Sequence, residues 1–223
     1  MFPKTPAGPG PGEALREIQD RVLSPLDFPL PPGLGEALSR YVDELLLFNP
    51  LYGLVGTGAS PEDPRKELLR HLADCLAPGA IFQSLEPRSL ADVGTGAGLP
   101  GIPLALLLDS CRVTLVEAKG RRCDFLRNAS ALLGLAGRVE IFQGPLKELP
   151  GSFDVVTCRA FAPLDREGKN LLKIVRPGGK LAAYKGREEV FAGELEGLGG
   201  YSVERLRHPL LTGERALVLI DKG

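Results

Sequence analysis

The sequence predicts an α/β fold, in which a mostly parallel sheet with crossover helices follows a small group of helices. From Ser89 onward, short apolar runs alternate with helical segments, a pattern typical of parallel strands joined by crossovers. A glycine-rich turn follows the first apolar run and precedes a helix. The two closing segments, residues 201–208 and 214–221, predict an antiparallel hairpin.

The first third of the chain predicts helices rather than strands. Residues 1–35 form a Pro/Gly-rich segment that we expect to be mobile apart from a short helix at 13–23. Residues 36–88 predict a helical subdomain, with one helix at 36–48 and another that starts at Asp63 as N-cap and Pro64 as first residue. Residues 89–223 then form the main domain.

The elements of the main domain follow from the alternation of apolar runs and amphipathic segments. The predicted strands are 89–94, 112–117, 138–143, 153–158 and 180–185, ahead of the closing hairpin. The predicted helices are 101–109, 119–134, 165–175 and one near 188–197. Strands and helices therefore alternate along most of the main domain.

Composition and charge exclude several classes of protein. With 43% hydrophobic and 25% charged residues, the 223-residue chain has the mix of a globular protein, which collagen, coiled-coil and disordered chains lack. No apolar run approaches the about 18 residues of a membrane span, and the N-terminus lacks a hydrophobic signal core, so we expect a cytoplasmic protein. Because the net charge is −1, a polyanionic partner must meet a local basic patch.

The four cysteines are scattered without a C-x-x-C pair. This spacing predicts free thiols at Cys75, Cys111, Cys123 and Cys158, with neither a zinc site nor a disulfide framework. We therefore predict no metal site.

The glycine-rich turn spans residues 89–101 and reads SLADVGTGAGLPG. Glycines let backbone N–H groups approach a ligand closely, and the N-terminus of the following helix adds positive potential, so the turn predicts a nucleotide-type cofactor site. The spacing of Gly96, Gly98 and Gly101 also satisfies the dinucleotide fingerprint. However, Asp92 stands two residues before Gly94, and this D-x-G-x-G-x-G arrangement resembles motif I of the Rossmann-like methyltransferases.

Later segments separate the two cofactor classes. Glu117 ends the second strand, where a carboxylate can accept hydrogen bonds from both ribose hydroxyls of an adenosine in either class. A Pro-Gly-Gly turn at 177–179 precedes the fifth strand, as in many methyltransferases, and the closing hairpin fits their antiparallel strand. The predicted fold is therefore a Rossmann-like class I methyltransferase, with a seven-stranded, mostly parallel sheet, an antiparallel terminal strand and an N-terminal helical subdomain.

From about residue 36 to the end, the sequence resembles the RsmG (GidB) family. The resemblance is carried by FNPLYGLVG at 48–56, HLADCLAP at 71–78, DVGTGAGLPGIPLAL at 92–106, EAKGRRCDFL at 117–126, CRAFAPL at 158–164, AYKG at 183–186 and GERALVLI at 213–220. It implies methyl transfer from S-adenosylmethionine to N7 of a guanine in the 530 loop of 16S ribosomal RNA. We expect a monomer whose partner is 16S rRNA or the small ribosomal subunit.

The resemblance also implies a cofactor site. It places cofactor contacts at Gly94, Leu99, Leu146, Lys147 and Arg159, with Glu117 on the ribose, and the turn motif adds Asp92, Gly96 and Gly98. The chain departs from the family pattern at Phe48, Gly53, Gly56, Cys75 and Pro145, where relatives carry tryptophan, asparagine, threonine, serine and often arginine.

Guanine N7 presents a lone pair, so its methylation needs no general base and no acid–base residue is predicted. Catalysis would come from positioning, with Arg159 in support. Residues 159–187 contain eight basic and two acidic residues, and Lys119, Arg121, Arg122 and Arg127 form a second basic group. The predicted contacts with RNA phosphate are Arg121, Arg122, Lys185, Arg187 and Arg215.

Several alternatives stay open at this point. The enzyme could act on another RNA, a protein or a small molecule, or it could be an NAD-linked oxidoreductase or an inactive binding module. Cys158 could serve as the nucleophile of a cytosine-C5 enzyme, although a small residue packed at a strand end is favoured. His71 and His208 are predicted to be structural, and Phe161 either stacks on a base or belongs to the core.

Overall fold

A seven-stranded sheet organises the protein. The computed structural model describes residues 10–56 and 63–223, so the start of the predicted mobile segment lies outside the described residues. The strands are β1 Ser89–Val93, β2 Arg112–Glu117, β3 Val139–Gln143, β4 Phe153–Arg159, β5 Val175–Lys185, β6 Tyr201–Arg205 and β7 Ala216–Asp221. Their order is β3-β2-β1-β4-β5-β7-β6. Strands β1 to β5 are parallel, whereas β7 is antiparallel to both of its neighbours, which confirms the predicted class of sheet.

Eight helices accompany the sheet within the described residues. They are α1 Pro11–Ile18, α2 Leu34–Tyr52, α3 Pro64–Leu76, α4 Gly79–Ser84, α5 Gly101–Leu107, α6 Gly120–Leu132, α7 Leu164–Lys173 and α8 Glu188–Phe191. A π-helical turn, Gln19–Leu23, continues α1, and 3-10 turns cover Leu146–Glu148 and Ala192–Leu195. In the described part of the chain, no helix combines the length and the apolarity needed to cross a membrane.

Helix α3 confirms its predicted start, while α2 and α4 differ from the prediction. The Asp63 side chain accepts the Lys66 N–H at 3.1 Å, and Pro64 is the first helical residue. Helix α2 continues past Pro50 to Tyr52, and Phe48 in its last turns stacks on Tyr52 with ring centroids 5.7 Å apart. Helix α4 has no counterpart in the prediction, since it is too short to show periodicity.

Strand β5 starts earlier than predicted because the Pro-Gly-Gly turn lies within it. Val175 pairs with Phe153 and Lys180 with Val155, so the turn residues form an irregularity between two points of pairing with β4. The predicted helix near 188–197 is α8 followed by a 3-10 turn.

Apolar side chains fill both faces of the sheet. On one face, Leu90 and Leu115 belong to the same buried cluster as Leu38 of α2 and Leu72 of α3. On the other face, Val156 and Leu181 cluster with Leu171 of α7. The predicted boundary at residue 88 therefore marks a change of sequence pattern inside one continuous core.

Candidate active site

A cleft of about 710 Å³ opens at the carboxyl ends of the central strands. Its walls come from the ends of β1 and β2, the loop after β3, the loop after β4 and helix α7. The strand order reverses between β1 and β4, and parallel sheets of this kind bind ligands at such a switch point. Of the predicted cofactor residues, Gly94, Glu117, Leu146 and Lys147 line the cleft.

The glycine turn after β1 contributes backbone to the cleft through Gly94. Gly94 has a φ of +70°, and a Cβ there would lie 2.3 Å from a ring carbon of Phe161. Gly98 serves packing, because a Cβ there would lie 2.6 Å from the Ile102 side chain. Leu99 is buried in the core. The predicted contacts Gly96, Gly98 and Leu99 are not among the residues that line the cleft.

Asp92 holds the glycine turn against the start of α5. Its side chain is fully buried, and Oδ2 accepts hydrogen bonds from Thr95 Oγ1 at 2.6 Å and from the Gly101 N–H at 2.7 Å. Burial raises the pKa of Asp92 to about 6, against the two hydrogen bonds, which lower it. The predicted cofactor residue Asp92 therefore lies beneath the turn, outside the cleft lining.

Backbone donors orient the carboxylate of Glu117 in the cleft. Oε2 accepts the Gly96 N–H at 3.2 Å, and Oε1 accepts the Lys119 N–H at 2.8 Å. Arg122 Nη1 lies 3.6 Å from Oε2, and Nη2 donates to the Gly53 carbonyl at 3.4 Å. Arg122, a predicted RNA contact, thus lines the cleft beside Glu117.

The residues present fit an adenosine-type cofactor. The Glu117 carboxylate offers oxygens to a pair of hydroxyl groups, and Val93, Val116, Leu146, Leu149 and Ile174 supply apolar walls for a base. Gly94 contributes backbone to the wall of the cleft, and its lack of a Cβ makes room for the Phe161 ring. A carboxylate in this position disfavours a phosphate on the ribose 2′-oxygen, so the cleft suits an adenosine with free ribose hydroxyls.

A second cavity of about 490 Å³ adjoins the cleft, and we call it the acceptor cavity. Ala160 and Phe161 line both spaces and form their shared wall. Ala160 has a φ of +52°, a left-handed conformation that costs an L-residue about 1–2 kcal/mol. Such strain is characteristic of functional sites. Polar side chains of the cavity are Asp74, Arg159, Tyr184, Lys185, Glu194 and Arg215.

Arg159 lies in the acceptor cavity rather than in the cleft. Its Nη1 donates to Asp74 Oδ2 at 3.0 Å and to His71 Nδ1 at 3.2 Å. Burial, followed by the charge of Arg159, lowers the pKa of His71 to about 4. His71 is therefore neutral near pH 7 and can accept this hydrogen bond.

The predicted RNA contacts divide between cavity and surface. Lys185 pairs with Glu194, and Arg215 Nε lies 3.6 Å from Asp74 Oδ1, both in the acceptor cavity. Arg121 and Arg187 are exposed and line neither space.

Sequence reasoning missed three polar residues around this cavity. His71 and Asp74 lie three residues apart on α3, a spacing that places both on one helix face, but no motif joins them to Arg159. Glu194 lies in the 3-10 turn that follows α8, and no sequence motif marks it as a site residue. Only the tertiary fold brings these residues to the end of β4.

Cys158 does not have the properties of a nucleophile. Its side chain is buried, and burial raises the pKa of the thiol to about 12. Because the thiolate is the reactive form, the thiol at neutral pH argues against a cytosine-C5 mechanism.

The strand order, the antiparallel β7, the glycine turn and the carboxylate at the end of β2 together define a Rossmann-like methyltransferase. Solved structures agree on the fold. An O-methyltransferase from Bacillus cereus in complex with SAH superposes with a TM-score of 0.61 at 19% identity, covering 94% of this chain and 97% of that one. The magnesium protoporphyrin IX methyltransferase of Synechocystis, with bound SAM, superposes with a TM-score of 0.58 at 16% identity, covering 83% of this chain and 97% of that one.

The sequence comparisons identify the family. The GidB family, described as rRNA small subunit methyltransferase G, matches residues 35–195. A ribosomal RNA small subunit methyltransferase G from Alkalilimnicola ehrlichii is 40% identical over 211 residues, with 93% of this chain and 92% of the relative covered. The protein of that name from Treponema denticola is 34% identical, with 85% and 87% covered. This chain belongs to the rRNA small subunit methyltransferase G family, which confirms the resemblance found in the sequence.

Proposed function

We propose that this protein transfers a methyl group from S-adenosylmethionine to N7 of a guanine in the 530 loop of 16S rRNA. The observation that carries the proposal is the pair of adjoining spaces with the shared wall Ala160–Phe161. One space fits an adenosine-type donor, and the other is bordered by basic side chains. Membership of an rRNA small subunit methyltransferase family supports this choice of acceptor.

The cleft residues have separate tasks toward the cofactor. Glu117 would accept hydrogen bonds from the ribose hydroxyls, and Leu146 and Leu149 would pack against the adenine. Gly94, at the wall of the cleft, would lie beside the amino-acid end. When bound, S-adenosylmethionine supplies a methyl group on a positively charged sulfur, which makes the methyl carbon electrophilic. The protein then has to bring N7 to that carbon in line.

The acceptor cavity would hold the target guanine. Phe161 is partly exposed at the shared wall and offers a ring on which a base can stack. The attacking N7 lone pair needs no proton removal, so positioning can supply several of the about 7–11 kcal/mol available from orientation. The product base is cationic, and a guanidinium flat against it would oppose the reaction. Arg159 and Arg215 would therefore contact O6 or phosphate, with Asp74 balancing their charge.

Basic side chains outside the cavity would bind the RNA backbone. Arg121 and Arg187 are exposed on the surface. Phosphate contacts of this kind make binding depend on salt, since each neutralised phosphate releases counterions. We place the protein in the cytoplasm with the small ribosomal subunit and infer that it acts as a monomer. Light scattering of the purified protein tests the latter.

Incubation with labelled S-adenosylmethionine and small subunits that lack the modification tests the function. Nucleoside analysis of the digested RNA should find the label in 7-methylguanosine at the 530 loop. Label in adenosine, cytidine or a ribosomal protein would overturn the assignment in favour of another acceptor. Calorimetry with S-adenosylhomocysteine tests the cleft independently, and the absence of heat with well-folded protein would remove the donor from the proposal.

A further inference from the structure

Glu194 presents one carboxylate oxygen that the protein itself does not use. Oε2 accepts the Leu164 N–H at 2.6 Å and pairs with Lys185 Nζ. Oε1 has no hydrogen-bond donor among the described residues. The side chain lines the acceptor cavity and is 18% exposed. The carboxylate is therefore held through one oxygen, with the other available to a ligand.

Asp74, the other carboxylate of the cavity, is placed differently. Its Oδ2 accepts from Arg159 Nη1 at 3.0 Å. Its Oδ1 is buried, with Arg215 Nε 3.6 Å away. Both oxygens of Asp74 thus face arginines of the protein, which leaves Glu194 as the carboxylate suited to a ligand.

A carboxylate is the acceptor that distinguishes guanine from the other bases in this geometry. Guanine carries two neighbouring donors, N1–H and N2–H, on the edge opposite N7, whereas adenine presents an acceptor at N1. With N7 directed to the shared wall at Ala160 and Phe161, that donor edge faces the remainder of the cavity, where Glu194 lies.

We propose that Glu194 accepts hydrogen bonds from N1–H and N2–H of the target guanine and so selects the base; this rests on the proposed function. The same contact assists the reaction. As N7 gains the methyl group, positive charge spreads over the ring and strengthens N1–H and N2–H as donors. The bond to Glu194 is therefore stronger in the transition state than in the ground state. No proton leaves guanine during the methyl transfer.

Functional-group replacement on the RNA tests Glu194. Small subunits are reconstituted with 16S rRNA that carries either guanosine or inosine, which lacks the N2 amino group, at the target position. The variants are Glu194→Gln and the control Glu196→Gln, which makes the same change at an exposed site of the same segment outside the cavity. Thermal midpoints and S-adenosylhomocysteine binding verify that both variants fold.

For the wild type and Glu196→Gln, inosine should lower kcat/KM about tenfold, the effect of losing one hydrogen bond to a charged group. Glu194→Gln should lower kcat/KM on the guanosine substrate about 10- to 100-fold. For this variant, replacing guanosine by inosine should change kcat/KM less than about threefold. An equal inosine effect in wild type and Glu194→Gln, or none in wild type, overturns the inference. A wild type that does not methylate the guanosine substrate overturns the proposed function instead.

Should Glu194→Gln fail to fold, Glu194→Asp takes its place. This variant keeps the charge, but its side chain is one methylene group shorter, so the carboxylate lies farther from the base. The loss of kcat/KM on replacing guanosine by inosine should therefore be smaller than in the wild type. A full inosine effect in Glu194→Asp contradicts the proposal.

Discussion

Asp74 is the residue that joins helix α3 to the acceptor cavity. Its two oxygens face Arg159 at 3.0 Å and Arg215 at 3.6 Å, and these arginines come from the end of β4 and the approach to β7. Arg159 Nε is buried without a hydrogen-bond partner among the described residues. The guanidinium is therefore held by its hydrogen bonds from Nη1 to Asp74 and His71. Asp74 therefore positions two arginines of the acceptor cavity.

Asp74→Asn should lower kcat/KM for RNA methylation at least about tenfold, because both arginines lose their common anion. The free energy of unfolding should fall by about 3 kcal/mol, as for a partly broken buried ion pair. Donor affinity, measured by calorimetry, should change less than twofold, since Asp74 does not line the cleft. The matched control is Asp124→Asn, whose ion pair with Arg127 is exposed. Unchanged methylation by folded Asp74→Asn would refute this role.

The lowered pKa of His71 makes the stability of the folded protein depend on pH. Folding lowers this pKa from 6.5 to about 4, chiefly through burial and then through Arg159, while Glu67 and Asp74 oppose the change. The folded state thus resists a proton that the unfolded state accepts. The contribution of His71 to the free energy of unfolding is fully present above pH 6.5. It is lost as the pH falls toward about 4, at about 1.4 kcal/mol per pH unit.

Comparison with His71→Gln isolates this effect. Asp92, whose pKa is raised to about 6, changes stability in the opposite direction and is common to both proteins. Between pH 6 and 4.5, urea unfolding should show wild type losing stability relative to His71→Gln by up to about 1.4 kcal/mol per pH unit. Parallel curves for the two proteins over this range would contradict the neutral state of His71.

At the scale of elements, the N-terminal helices support the cofactor turn directly. The Tyr41 hydroxyl of α2 donates to the Ala97 carbonyl in the glycine turn at 2.6 Å, and Tyr41 is fully buried. Burial raises the pKa of Tyr41 well above its usual value, so the hydroxyl stays a donor. The turn is thus fixed from below by Asp92 and from the helical side by Tyr41.

Tyr41→Phe should reduce the free energy of unfolding by about 1–2 kcal/mol, because the buried Ala97 carbonyl loses its donor. Donor affinity should fall a few-fold as the turn loosens. Tyr52→Phe serves as control, since Tyr52 stacks on Phe48 and its hydroxyl makes no hydrogen bond among the described residues. Urea unfolding and calorimetry measure the two effects. Equal stabilities of the two variants would show that the Tyr41 hydroxyl contributes little.

At the scale of the whole molecule, the helices of the first third and the sheet bury each other. Leu38 and Leu72 lie in the same cluster as Leu90, Leu115 and Leu217 of the sheet. Burial of one large aliphatic side chain contributes about 1.5–3 kcal/mol, and a small domain has only about 5–15 kcal/mol of net stability. The sheet therefore depends on these helices.

A fragment of residues 89–223 should fail to fold cooperatively, because one face of its sheet would be exposed to water. Circular dichroism and thermal unfolding of the fragment, beside the full chain, provide the measurement. A sigmoidal transition of the fragment with native-like secondary structure would show that the main domain is independent of the helices before it.

The sequence by itself determined the strands, the parallel sheet with its antiparallel terminal strand, the glycine turn and Glu117, because these depend on local periodicity and on residues close in sequence. It also carried the family resemblance that the comparisons confirmed. The tertiary structure alone decided that Asp92 lies beneath the turn and that Arg159 pairs with Asp74, 85 residues away. It also decided that Glu194 reaches Lys185 in the acceptor cavity. Contacts between distant elements depend on how helices pack on a sheet, and no local pattern records that packing.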